Sequence, residues 1–158
     1  MSDVMPQQEA APEGITPLSP DEEAVIRSLH RVIYALPRAM DADLVREQRL
    51  PLTEYMALMH LSEAPERQMR MTDLAVACER SLSGMTRAVY RLQSDGLVQR
   101  VKDTQDARGW NAVLTDAGLA RLREAWPTNL ASVRRRFLDH LDGLDLKALA
   151  AALARIAS

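Results

Sequence analysis

The chain has 158 residues, 47% of them apolar and 27% charged, a size and balance that suit one globular domain with its own core and exclude a fibrous or disordered chain. A single cysteine, Cys78, excludes an internal disulfide, and three scattered histidines (His30, His60 and His140) offer no paired metal-ligand spacing, so no metal and no cofactor is expected. No apolar run nears the roughly 20 residues of a membrane span, and the start "MSDVMPQQEA" lacks a signal-peptide pattern, so a cytoplasmic protein without membrane contact is expected.

Residues 1–18 carry three prolines and little periodicity and read as a flexible tail. Order is expected from "SPDE", where Ser19 is an N-cap, Pro20 takes the first helical position and Glu22 completes a capping box. Ile26, Leu29, Ile33, Leu36 and Met40 recur at steps of three and four along a long helix, and Pro37 predicts a kink or break near residues 34–36. A second helix is predicted over about Thr53 to Ser62. After a basic, polar connection, Thr72 is expected to cap the short helix "DLAVACE". A brief turn then leads to "LSGMTRAVYRLQSDGL", with Leu82, Met85, Val89 and Leu92 on an apolar face. Ser83, Thr86, Arg87, Tyr90 and Arg91 fall on the opposite side, and Gly96 closes the helix.

Two short strands follow as a hairpin. Leu97, Gln99 and Val101 share one face of the first, and Trp110, Ala112 and Leu114 share one face of the second. Thr115 caps a long amphipathic segment running through Leu119, Leu122, Trp126, Leu130, Val133, Phe137 and Leu141, with Pro127 as a bend and "RRR" at 134–136 as a solvated stretch. "LDGLD" is a turn, and Leu146, Leu149, Leu153 and Ile156 mark a last helix. The predicted fold is mainly α with one small β-hairpin. Its first and last helices are too apolar on one face for so small a central unit, which points to a partner subunit.

Net charge is −2, yet Arg80, Arg87, Arg91, Arg100, Lys102 and Arg108 face only Asp95, Asp103 and Asp106 within residues 80–108, a local +3. Two closely linked helices, the second presenting Ser, Thr and Arg, fit a DNA major groove, where arginine bonds guanine in bidentate fashion. A plain solvated helix face would look the same taken alone. The neighbouring hairpin favours DNA, because Arg108 at a ribbon tip, braced by Asp106 and followed by Gly109 as a permissive turn residue, can enter a narrow minor groove.

Residues 81–118, "SLSGMTRAVYRLQSDGLVQRVKDTQDARGWNAVLTDAG", resemble the recognition helix and wing of the MarR family of winged helix-turn-helix regulators. The shared pattern is Thr86-Arg87, Leu92 with Gly96-Leu97-Val98 and Arg100, Asp106 with Arg108, and Leu114-Thr115 with Gly118. The helix order over residues 20–157 matches as well. The resemblance implies a winged helix-turn-helix lobe over residues 51–115, flanked by dimerisation helices at 19–50 and 116–158. It also implies a homodimer on a pseudo-palindromic duplex, acting as a repressor. By position, Ser81, Ser83, Thr86 and Arg87 would meet bases or phosphates, Arg91 a phosphate, Arg70 and Thr72 the DNA backbone, and Arg108 the minor groove. One departure is a wing tip sparse in arginine, with Lys102 and Arg108 alone.

Members of the family respond to small lipophilic or phenolic effectors in a cleft beside the dimer helices. Met40, Met56, Met59 and His60 lie where such a cleft could form, although ordinary core filling is the favoured reading of them. Cys78 lies i+4 from Leu74 and reads as a buried, inert thiol. No phosphate loop, nucleophile elbow or metalloprotease motif is present, so no enzyme is expected. The competing class is a winged-helix module that binds protein instead of DNA, which predicts an apolar or acidic face on helix 81–94. The face is basic and hydroxylated.

Overall fold

The computed structural model describes residues 14–104, 106 and 109–157. Six helices and three strands follow in order: α1 (Pro20–Gln48), α2 (Leu52–Glu63), β1 (Gln68–Arg70), α3 (Met71–Ala77), α4 (Leu82–Ser94), β2 (Val98–Lys102), β3 (Trp110–Leu114), α5 (Asp116–Arg136) and α6 (Leu146–Ile156). Single 3-10 turns lie at Pro65–Arg67 and Leu138–His140. No helix among the described residues is long and apolar enough to cross a membrane.

The chain divides into two compact parts at Ala35 and Leu36. In the first, the capping box forms as expected: Ser19 N–H donates to Glu22 at 2.7 Å and Glu22 N–H to the Ser19 hydroxyl at 3.2 Å. Val25, Ile26, Val32, Ile33 and Tyr34 are exposed there. Pro37 does not interrupt α1, which runs on to Gln48. The second part holds the core, built from Leu44 of α1, Tyr55, Leu58 and Leu61 of α2, Leu74 of α3, Met85, Val89 and Leu92 of α4, Val98, Ala112 and Leu114 of the sheet, and Leu122 and Ala125 of α5. Asp41 near the end of α1 accepts from Leu52 N–H at 2.8 Å and so caps α2, whose N-cap residue Pro51 cannot.

The hairpin is in fact part of a three-stranded antiparallel sheet of order β1-β3-β2. β1, read from the sequence as plain connection, pairs Gln68, Met69 and Arg70 with Val113, Ala112 and Asn111. Three residues are too few to carry a period-two signal; the open edge of β3 makes them a strand. In β2, Val98, Arg100 and Lys102 pair with Leu114, Ala112 and Trp110; along this row Val98 is buried, Arg100 half-buried and Lys102 exposed, while Gln99 and Val101 on the other face are exposed.

Helix α5 starts at a tight junction. Thr115 caps it by accepting from Gly118 N–H at 3.0 Å while its hydroxyl donates to Gly96 O at 2.8 Å. A Cβ on Gly118 would lie 2.1 Å from the Leu97 carbonyl oxygen, so glycine is sterically required. Along the apolar row of α5, Leu122 is buried and Leu119 packs against the core, with Gly118, Ala125 and Ser132 buried beside them, whereas Trp126 and Leu130 are exposed. The helix ends at Arg136, before Phe137, and Pro127 lies within it.

The "RRR" stretch is not simply solvated. Arg135 and Arg136 reach across to Asp43 of α1, at 2.8 Å and 3.0 Å, and Arg46 joins them at 2.9 Å. The Ser132 hydroxyl donates to the same carboxylate at 2.7 Å. Asp43 is fully buried. Its carboxyl is held well below the usual carboxylate range, chiefly by the Arg136 hydrogen bonds, against the opposing effect of burial and with help from Ser132, Arg135 and Arg46. No residue of α6 is buried, and its N-cap Asp145 accepts from Lys147 and Ala148 N–H, both at 3.0 Å.

Candidate nucleic-acid interface

Helix α4 is built to present one side outward. Ser81 is its N-cap, the hydroxyl accepting from Gly84 N–H at 3.1 Å, and lies 3.3 Å from the Ser83 hydroxyl. At the other end Gly96 has φ +73°, with Gly96 N–H donating to Gln93 O and Leu97 N–H to Leu92 O, the paired bonds of a Schellman stop. Met85, Ala88, Val89 and Leu92 face the core. Ser83, Arg87, Tyr90 and Arg91 are exposed and Thr86 is half-buried. Leu82, expected on the apolar face, is 49% exposed. Arg87 forms no ion pair among the described residues, which leaves all five of its donors available to a ligand.

The preceding helix is placed by its backbone. Arg70 holds the N-cap position of α3 without a side-chain cap, and Thr72 lies inside the first turn, its hydroxyl 3.4 Å from Asp73; Thr72 is therefore not the cap that the sequence pattern predicts. Both Arg70 and Thr72 are exposed. Two of the expected DNA contacts already have partners within the chain. Arg91 donates its Nε to the buried carboxylate of Glu54 in α2, and Arg70 lies 2.8 Å from the buried Asp103 at the end of β2. Each guanidinium uses one edge for that bond and retains donors on the other, so bracing and phosphate binding are compatible.

Asp103 organises the base of the wing. It accepts from Asp106 N–H at 3.4 Å, while its own N–H donates to Gly109 O at 3.1 Å and Gly109 N–H donates to Asp106 O at 2.9 Å. Gly109 is not a positive-φ residue; its role is close approach, since a Cβ there would lie 3.2 Å from the Asp103 Cβ. Arg108 and its predicted bond to Asp106 lie outside the described residues. Further back, Arg100 of β2 sits between two rings, 4.5 Å from the Tyr90 centroid and 4.6 Å from that of Trp110, and the Lys102 ammonium lies 4.5 Å from Trp110. Glu54 is not singled out by the sequence, and Asp103, Arg100 and Trp110 stand there only as a charge, a pattern position and a strand-face residue, without these contacts. Nothing local marks Glu54 or Asp103 as buried partners or Arg100 as a ring contact.

Met59 lines a hollow of about 360 Å³ between α2 and α5 with Tyr55, Leu122 and Trp126, whereas His60 faces a separate one of about 590 Å³ with Arg70 and Asp103. Met40 and Met56 line neither. Cys78 is buried, which pushes its thiol up to about 11, far from a reactive thiolate. No group of three or more His, Cys, Asp or Glu side chains among the described residues could hold a metal ion.

This arrangement recurs in solved structures. The MarR family profile matches residues 50–109. Sco3205, a MarR family transcriptional regulator of Streptomyces coelicolor solved in complex with DNA, is 32% identical, covers 92% of this chain and 91% of its own, and superposes with a TM-score of 0.81. The chain belongs to the MarR family. AbsC, another MarR family regulator from Streptomyces coelicolor, is 36% identical over 90% of this chain and 96% of its own, with a TM-score of 0.79. BldR of Sulfolobus solfataricus, at 22% identity, a TM-score of 0.72 and coverage of 87% and 99%, shares the fold. Comparison with curated proteins gives no match. MarR membership makes the chain a transcriptional regulator with a winged helix-turn-helix, in a family that is not enzymatic.

Proposed function

We propose that this MarR-family chain is a sequence-specific DNA-binding repressor. It acts as a homodimer that sets two copies of α4 into successive major grooves and two wings into the flanking minor grooves of a pseudo-palindromic operator. The observation that carries this reading is the outer face of α4, hydroxylated and basic on an acidic chain, with Arg87 exposed and uncommitted. The relative Sco3205 was crystallised with DNA, which supports the same use here.

In this reading Ser83, Thr86 and Arg87 read base edges, and Ser81 meets a phosphate while capping the helix. Arg70, Thr72 and Arg91 hold backbone phosphates, the two arginines from braced positions. Arg108 enters the minor groove, supported by Asp106. The exposed apolar residues of α1 (Val25, Ile26, Val32, Ile33 and Tyr34), and an α6 with no buried residue, support dimerisation through the terminal helices. Release is assigned to a small lipophilic or phenolic effector, for which the hollow lined by Tyr55, Met59, Leu122 and Trp126 has fitting chemistry. A protein-binding winged helix is disfavoured by the same basic face of α4.

Arg87→Ala tests this reading on duplexes selected by the wild-type protein. Binding should weaken by about 1–3 kcal/mol, and the loss should vanish on duplexes in which one particular base pair has been changed. A loss equal on every duplex would reduce Arg87 to a phosphate contact, and no loss would remove α4 from the interface.

A further inference from the structure

Arg100 stands out because its charge is held by rings alone. It is half-buried, forms no ion pair among the described residues, and its Nε is buried without a hydrogen-bond partner. An apolar residue at this position would fill the space without stranding a donor. What arginine adds is a rigid charged plane that two aromatic faces can grip, and those faces belong to different elements: Tyr90 to α4, Trp110 to the first position of β3.

The sheet register makes room for this. Arg100 is paired with Ala112, whose small side chain lets Trp110 reach diagonally across, while Lys102, directly opposite Trp110, covers the same indole. A second tie joins the same end of the hairpin to α3 through Arg70 and Asp103. The outer half of the wing is therefore fixed to both helices of the helix-turn-helix, close to where its loop departs.

We infer that the Tyr90–Arg100–Trp110 stack is a specificity-determining device that presets the distance and angle between recognition helix and wing. Tyr90, Arg100 and Trp110 act as positioning residues and need not touch DNA. With the stack intact, helix and wing meet the duplex as one rigid unit. The minor groove is then probed at one fixed offset from the half-site, and base preference at the flanking pairs follows from groove shape there. Without it, the wing swings independently and averages over offsets. The inference rests on the DNA-binding reading and adds to it a source for flank preference.

The test compares wild type with Tyr90→Leu, Trp110→Leu, Arg100→Met and Arg100→Lys, each checked for wild-type thermal unfolding, on duplexes that hold the selected half-sites constant and vary only the flanks. Wild type should prefer its best flank over its worst by roughly tenfold. All four variants should keep half-site preference yet lose most of that ratio, and Tyr90→Leu combined with Trp110→Leu should lose no more than either alone. Arg100→Lys keeps the charge and the aliphatic stem, but an ammonium cannot bridge two rings as a plane. Retention of the full flank ratio by Arg100→Lys, or by the folded members of the other three, overturns the inference while leaving DNA binding intact. Failure of wild type itself to hold any half-site preference overturns the DNA-binding reading instead.

Discussion

Gly118→Ala is expected to lower stability by about 3 kcal/mol, at the upper end for overpacking. The added methyl would lie 2.1 Å from the Leu97 carbonyl oxygen and 2.6 Å from a Leu114 methyl. The first obstacle is backbone, which cannot rotate away, and the same carbonyl already accepts from Thr115 N–H. Relief requires moving the first turn of α5 off the strand that leaves the recognition helix, so the clash loosens the junction between wing and α5. Chemical denaturation at fixed protein concentration measures the cost, with Gly84→Ala as the control. There the nearest foreign atom is the side-chain hydroxyl of Ser81 at 3.1 Å, a contact that needs a shift of only a few tenths of an ångström and that a better helix former offsets, so the change should stay within about 1 kcal/mol of wild type. Equal effects at the two glycines would contradict the close approach at Gly118.

Asp43→Asn is expected to be the next most damaging single change, at roughly 2–3 kcal/mol near neutral pH. That is somewhat below the loss for a fully buried pair, because Arg46, Arg135 and Arg136 remain partly exposed. The amide cannot neutralise three guanidinium groups that the fold has brought to one point. The carboxyl is held low in the folded state, so its contribution is complete above the unfolded carboxylate value, near pH 4, and is lost as the pH falls below it toward the folded value. Urea unfolding of wild type and variant should therefore differ most at pH 7 and converge as the pH drops from about 5 toward 2. A gap independent of pH would mean that shape, not charge, holds α1 to α5 at this point.

What could be read from the sequence was what is local in the chain. Thr86-Arg87, Gly96, and Thr115 with Gly118 mark helix, stop and restart within a few residues of one another, and the structure puts a Schellman stop, a threonine cap and a forbidden Cβ at those places. β1 escaped because three residues become a strand only beside β3. Asp43 escaped because its partner Ser132 is 89 positions away, and a lone aspartate in a helix looks solvated until the fold encloses it. The contacts of Arg100 escaped because hydrophobic alternation assigns cations outward and cannot foresee that Tyr90 and Trp110 will cover one of them. Arg91 and Arg70 are placed on DNA by their positions in the family pattern. Their bonds to Glu54 and Asp103 show that a basic side chain near a candidate interface can serve the scaffold as well.

Selection of bound duplexes from a random pool by the purified protein measures the central claim most directly. The account predicts enrichment of one two-fold symmetric site whose half-sites are centred about 10–10.5 bp apart, the spacing of successive major grooves on one face of the duplex. Recovery of no shared sequence, or of a site without two-fold symmetry, would contradict it.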